Sequence, residues 1–144
     1  MAYLVGLDPG KNTGIAVWDT VTQSFVKVDT MAIHEALLTV RELWEFYNDR
    51  VIRVYFEDAR KRQFLPRERN ASEYRGKLMG AGSVKRDSVI WQDALTDWGI
   101  PFEMVPPRAG ATKWTAETFR NVTGYTGRTS NHARDAAILV FGRK

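Results

Sequence analysis

Residues 6–14 read Gly-Leu-Asp-Pro-Gly-Lys-Asn-Thr-Gly (GLDPGKNTG), directly after the apolar run Tyr3-Leu4-Val5. A strand that ends on Asp8 and turns at once through Pro9 and Gly10 has two readings. Pro, Gly and Asn are the residues that hairpin turns need. An aspartate at the end of a buried strand is also a rigid mount for a metal ion or a phosphate. The elements that follow bear on the choice.

The pattern after this stretch predicts a second strand over Gly14 to Trp18 and a third over Ser24 to Thr30. The short turns between them suggest an antiparallel meander. Ile33, Leu37, Val40, Trp44 and Tyr47 follow one face of a helix running from Ile33 to Tyr47. Val51 to Glu57 is β-branched and aromatic and reads as strand four. A long helix is expected from Ala71 to Trp98, with Val84, Ser88, Trp91, Leu95 and Trp98 on one stripe. Gly76, Gly80 and Gly82 near its start suggest close backbone packing or a break. Phe102 to Val105 reads as strand five, stopped by Pro106 and Pro107. Helices around Thr112 to Val122 and Asn131 to Phe141 close the pattern. The order β-β-β-α-β-α-β-α-α describes an α/β fold, with a mixed five-stranded sheet and helices on its faces. This is the strand order of the ribonuclease H-like fold.

The composition narrows the function classes. A chain of 144 residues is enough for one domain with one sizeable core. No stretch approaches the roughly 18 apolar residues of a membrane span, and no signal peptide is visible. With no cysteine there are no disulfides, thiolate zinc sites or cysteine nucleophiles, which fits a cytoplasmic protein. Net charge is +4 overall, but residues 50–90 hold eleven Lys and Arg against five Asp and Glu, a local +6 that leaves −2 elsewhere. Clustered basic charge reads either as a solvated helix face or as the footprint of a polyanion.

Strand four ends in Phe56-Glu57-Asp58. Alternation places Val54 and Phe56 on one face, and Tyr55 and Glu57 on the other. In the expected strand order, strands one and four are parallel neighbours, so Asp8 and Glu57 project from one sheet edge. A lone carboxylate there is ordinarily just solvated, whereas two converging ones repel unless a cation lies between them. The last helix begins Asn131-His132-Ala133-Arg134-Asp135-Ala136-Ala137. His132 and Asp135 are three apart on one face. Taken singly, Asp135 suits the helix dipole and His132 suits a surface or capping position. Ala133, Ala136 and Ala137 are small enough for the helix to lie close against a sheet, which would carry His132 and Asp135 towards Asp8 and Glu57. Three carboxylates and an imidazole suit hard divalent cations. Two such ions roughly 3.5–4 Å apart can serve the attacking and leaving oxygens of a phosphodiester displacement. On this reading Asp8 is a shared metal ligand, the Pro9 turn sets its direction, and Gly10 leaves room for a DNA backbone.

GLDPGKNTGIAV, the strand ending YFED, the segment GAGSVKRDSVIW and NHARDAAILV together resemble, in order, the RuvC family of Holliday junction resolvases. The resemblance runs over nearly the whole chain. It implies a ribonuclease H-like fold, two Mg²⁺ or Mn²⁺ ions, and a homodimer that makes paired nicks in four-way DNA junctions. It assigns Asp8, Glu57, His132 and Asp135 as catalytic metal ligands, with Asp58 an alternative to Glu57. No nucleotide cofactor and no membrane partner are expected.

The basic residues Arg60, Lys61, Arg62, Arg67, Arg69, Arg75, Lys77, Lys85 and Arg86 follow the Glu57 strand and are expected to contact DNA phosphates. Phe64 among them is either a core anchor for the loop or an apolar wedge stacked on bases at the junction centre. Competing functional classes are a RuvX-like nuclease acting on ribosomal RNA precursors and a non-catalytic nucleic-acid-binding module. A sugar-kinase or actin-like ATPase shares the DxG turn but needs two such domains around a cleft.

Overall fold

The computed structural model describes residues 2–47, 50–58, 71–106 and 113–144. The elements are β1 (Tyr3–Asp8), β2 (Asn12–Asp19), β3 (Ser24–Ala32), α1 (Ile33–Phe46), β4 (Val51–Glu57), α2 (Ala71–Trp98), β5 (Phe102–Val105), α3 (Ala116–Thr123) and α4 (Asn131–Ile138). The element order and the strand bounds agree closely with the sequence pattern. The five strands form one sheet in the order β3-β2-β1-β4-β5. β1–β2 and β2–β3 are antiparallel, whereas β1–β4 and β4–β5 are parallel. The expected mixed α/β sheet, a meander continued by crossovers, is borne out.

Strand alternation sorts the apolar residues into two layers. Val5, Leu7, Ile15, Val17, Val54 and Phe56 face one side and pack with Val40 of α1 and Trp91 and Leu95 of α2. Leu4, Ala16, Trp18, Val28 and Tyr55 face the other, against Phe119 of α3 and Ala133, Ala136, Ala137 and Val140 of the C-terminal segment. Both layers bury their side chains almost completely, so neither face of the central strands meets water. A register shift between Val17 and Trp18 carries Phe25 onto the second layer, where it meets Trp18 edge-on at 4.8 Å.

Local chemistry sets the helix ends. Ser130 and Thr115 cap α4 and α3 by accepting N–H bonds from Ala133 and Thr118, each worth about 1 kcal/mol. Thr115 as the cap explains why α3 begins at Ala116 rather than near Thr112. Gly124, at φ 75°, closes α3 in the left-handed region that glycine tolerates. The last helix ends at Ile138 instead of continuing to Phe141, because a turn to Gly142 at φ 74° follows. α1 has no side-chain cap. The Ile33 N–H instead donates to the carbonyl of Lys11 at 3.1 Å, which ties the turn after Asp8 to the start of that helix. α2 runs unbroken through Gly82, around which a Cβ would meet nothing within 4 Å. At Gly82 the expected close packing or break is therefore absent. No helix among the described residues is long and apolar enough to cross a membrane.

Candidate active site

The β1–β2 turn answers the question raised by Asp8-Pro9-Gly10. It is a hairpin, with Asp8 paired to Gly14 across it, and Thr13 Oγ1 donates to the Gly10 carbonyl at 2.8 Å to hold it. It is also a mount. Leu7 belongs to the α1–α2 layer, so alternation turns Asp8 to the opposite face, where α4 lies. The same parity applies on β4, where Phe56 faces α1 and α2 while Tyr55 and Glu57 face α4. Leu7 pairs with Phe56, so Asp8 and Glu57 are the next residues along two parallel neighbours.

The close seating of α4 rests on two glycines as much as on the alanines. A Cβ on Gly14 would lie 2.0 Å from the His132 carbonyl oxygen, and one on Gly6 would lie 2.1 Å from that of Ala136. The backbone of α4 therefore rests directly on β1 and β2, at a distance no side chain permits. Gly6 and Gly14 recur at the alternation period, on strands whose apolar character hid their purpose in the sequence.

This seating brings His132 to Asp8. His132 Nδ1 and Asp8 Oδ2 are 2.9 Å apart and share a hydrogen bond. The bond leaves a second oxygen on Asp8 and Nε2 on His132 outside it. Burial pushes the Asp8 carboxyl above its ordinary value of 3.8; the His132 hydrogen bond pulls it back, and the charges of Asp135 and then Glu57 raise it further. His132, Asp135 and Glu57 thus all act on Asp8. Of the adjacent acids, Glu57 and not Asp58 is among the charges that act on Asp8. Asp58 is buried, and its N–H donates to the carbonyl of Val105 at 2.8 Å.

The side chains are near one another without forming a closed cage. Among the described residues, no three His, Asp or Glu side chains stand at cation-holding spacing. Asp8 and Asp135 each have a partner. Asp8 takes the histidine, and Asp135 Oδ2 lies 3.5 Å from Lys113 Nζ. The donor set nonetheless fits hard divalent ions. Carboxylate oxygens and an imidazole nitrogen are their ligand types, and the charges of Asp135 and Glu57 that raise Asp8 are those a cation would offset.

Two residues of this region escaped the sequence reading. Lys113 falls inside the helix expected from about Thr112 but precedes the observed α3, and only the tertiary fold sets it beside Asp135. Arg134 is 8% exposed, and its guanidinium donates to the carbonyls of Trp114 (2.9 Å) and Thr129 (3.0 Å), to Thr129 Oγ1 (2.8 Å) and to Asn131 Oδ1 (2.5 Å). It holds the chain entering α3 against the chain entering α4. The available signal was an arginine at a helix position flanked by buried alanines.

Of the predicted DNA contacts, Arg60, Lys61, Arg62, Phe64, Arg67 and Arg69 lie outside the described residues, as do the side chains of Arg75 and Lys77 on α2. Lys85 and Arg86 are exposed on α2, and Arg86 pairs with its neighbour Asp87 at 3.4 Å. Comparison of the chain with protein-family profiles and with curated proteins gives no match.

Proposed function

We propose that this protein is a metal-dependent endodeoxyribonuclease with a ribonuclease H-like fold, acting on four-way DNA junctions in the manner of the RuvC family it resembles. The observation that carries the reading is the convergence of Asp8, Glu57, His132 and Asp135 on the α4 face, at one edge of the sheet. These four residues would hold Mg²⁺ or Mn²⁺. When bound, two such ions supply charge to the attacking and leaving oxygens of a phosphodiester displacement.

The chain's own residues position and balance. Burial on the sheet fixes the direction of Asp8, and the Thr13–Gly10 bond stiffens the turn beyond it. His132 is oriented by its Nδ1 bond to Asp8, as histidines near metal sites commonly are by a carboxylate. Lys113, paired to Asp135 and largely exposed, is placed to exchange that carboxylate for a substrate phosphate oxygen. The basic run over residues 60–86 would hold flanking phosphates. A homodimer suits a junction with two equivalent strands to cut, and the cysteine-free chain suits the cytoplasm.

The test is a nicking assay on a synthetic four-way junction, the matching linear duplex and a structured RNA, with and without Mg²⁺ or Mn²⁺. Metal-dependent paired nicks in the junction are expected. Cleavage of the RNA alone would transfer the protein to the RuvX-like class. Binding of the junction without cleavage under any metal would make it a non-catalytic module.

A further inference from the structure

A polar cavity shares the sheet edge with Asp8. It has a volume of about 270 Å³ and is lined by Asp29, Thr30, Arg128, Thr129 and Ser130. Its place follows from the strand register. Thr30 of β3 pairs with Gly14 of β2, and Gly14 pairs with Asp8 of β1. At about 4.5–5.5 Å between antiparallel partners, Thr30 stands roughly 10 Å from Asp8 along this row. Thr30 also shares the α4 face, being two residues on from the buried Val28. The start of α4 rests on Gly14 between them. Asp8 and His132 therefore meet on one side of the helix start, while the Thr30 and Ser130 hydroxyls are hydrogen-bonded to each other on the other.

The lining suits an anion. Arg128 is exposed, and its guanidinium has no ion pair or hydrogen bond among the described residues. Thr129 is firmly placed, because the buried Arg134 donates to both its carbonyl and its hydroxyl. The Thr129 oxygen accepts that bond, so its own hydrogen remains to be donated. The Thr30–Ser130 pair shares one hydroxyl hydrogen internally and retains the other. Asp29 is the acid of the lining, yet strand alternation directs it away from Thr30, and its Oδ1 accepts the Thr30 N–H at 2.8 Å.

We infer that this cavity is a backbone-phosphate subsite of the nuclease, an inference that rests on the function proposed above. Arg128 supplies the charge, and the hydroxyls of Thr129 and the Thr30–Ser130 pair supply hydrogen bonds, to a phosphodiester beside the one held at Asp8. A span of roughly 10 Å keeps this phosphodiester within a few nucleotides of the one at Asp8, inside the window the experiment scans. Such a contact sets the register of the strand and reads no base.

The experiment uses the full chain and a synthetic four-way junction carrying single methylphosphonate linkages, which lack charge, at successive positions within five nucleotides of the cut. Wild type, Arg128→Ala, Thr30→Val and the charge-matched Arg41→Ala are compared by fluorescence anisotropy over a salt series and by nicking. Arg41 lies on α1, across the sheet from the cavity. Arg128→Ala is expected to weaken binding and to reduce the salt slope by roughly one, with an unchanged melting temperature, while Arg41→Ala leaves the slope alone. One methylphosphonate position should reproduce the loss in wild type and cost the Arg128→Ala protein nothing further. Thr30→Val should show a smaller loss at the same position. If wild type neither binds nor nicks the junction, the nuclease and the subsite both fall. If wild type nicks normally but Arg128→Ala keeps its affinity and slope, or no position is non-additive with it, the subsite alone is wrong.

Discussion

Replacing Gly14 with alanine tests the seat on which the candidate site depends. The added Cβ would sit 2.0 Å from the His132 carbonyl oxygen, 2.4 Å from its carbon and 3.0 Å from the Ala133 nitrogen. All three are backbone atoms, so no rotamer change relieves the clash. An ordinary contact begins at about 3.4 Å, so α4 must rise by 3.4 − 2.0, about 1.4 Å. A rise of that size stretches the 2.9 Å His132–Asp8 bond beyond hydrogen-bonding distance. Overpacking of this kind costs roughly 1–3 kcal/mol. At roughly 2–4 °C per kcal/mol for a chain of this size, the melting temperature should fall by ~2–12 °C. Misplacement of reacting groups by 1 Å costs about 100-fold in rate, so junction nicking should fall by at least that factor at a temperature where the variant remains folded. The control is Gly82→Ala on α2, where the Cβ meets nothing within 4 Å. It should gain about 0.5–1 kcal/mol from helix propensity and keep full activity. Thermal melts followed by circular dichroism and single-turnover nicking make the comparison. A Gly14→Ala protein with wild-type melting temperature and rate would refute the close seating.

Other variants probe the individual carboxylates and the histidine. Burial, assisted by Asp135 and Glu57, raises the Asp8 carboxyl, so the folded state favours its neutral form. That contribution to stability is full below the ordinary value of 3.8 and is lost as pH rises through the raised value. Asp8→Asn should therefore raise the melting temperature of the metal-free protein at neutral pH, converge on wild type as pH falls below about 4, and abolish cleavage; a neutral-pH melt below wild type would contradict the sign. Glu57→Gln and Asp135→Asn should each eliminate nicking with junction affinity largely kept, because phosphate contacts elsewhere hold the DNA. Asp58→Asn should retain turnover, and an inactive Asp58→Asn beside an active Glu57→Gln would exchange their roles. His132→Asp should remain active with its metal preference moved from Mn²⁺ towards Mg²⁺, since imidazole favours the softer ion; an unmoved preference in metal titrations would count against ligation.

Much of the fold was legible because its signals are local. The apolar run that opens Tyr3–Asp8 and the β-branched and aromatic run of Val51–Glu57 mark strands, and period-3.6 spacing in Ile33–Phe46 marks a helix. The parity that separates Phe56 from Tyr55 survives unchanged into the sheet, and the expected parallel pairing of strands one and four, which puts Asp8 and Glu57 at one sheet edge, is present. Helix starts were less legible, since α3 begins where Thr115 caps it and α1 is capped from a distance by the Lys11 carbonyl. Gly82 misled because a glycine inside a helix has the same appearance whether the space around it is open or crowded.

The sequence by itself determined the order of the elements, the strands that end in Asp8 and Glu57, and the spacing that puts His132 and Asp135 on one helix face, all of which follow from chain-local periodicity. Tertiary structure decided what lies across a gap in sequence. It set α4 on Gly6 and Gly14 and His132 against Asp8, 124 residues away. It also brought Lys113 to Asp135 and turned Arg134 inward to hold the loops around Trp114 and Thr129. Such contacts depend on where the packed sheet carries each residue, and no short-range pattern of residue types encodes that distance.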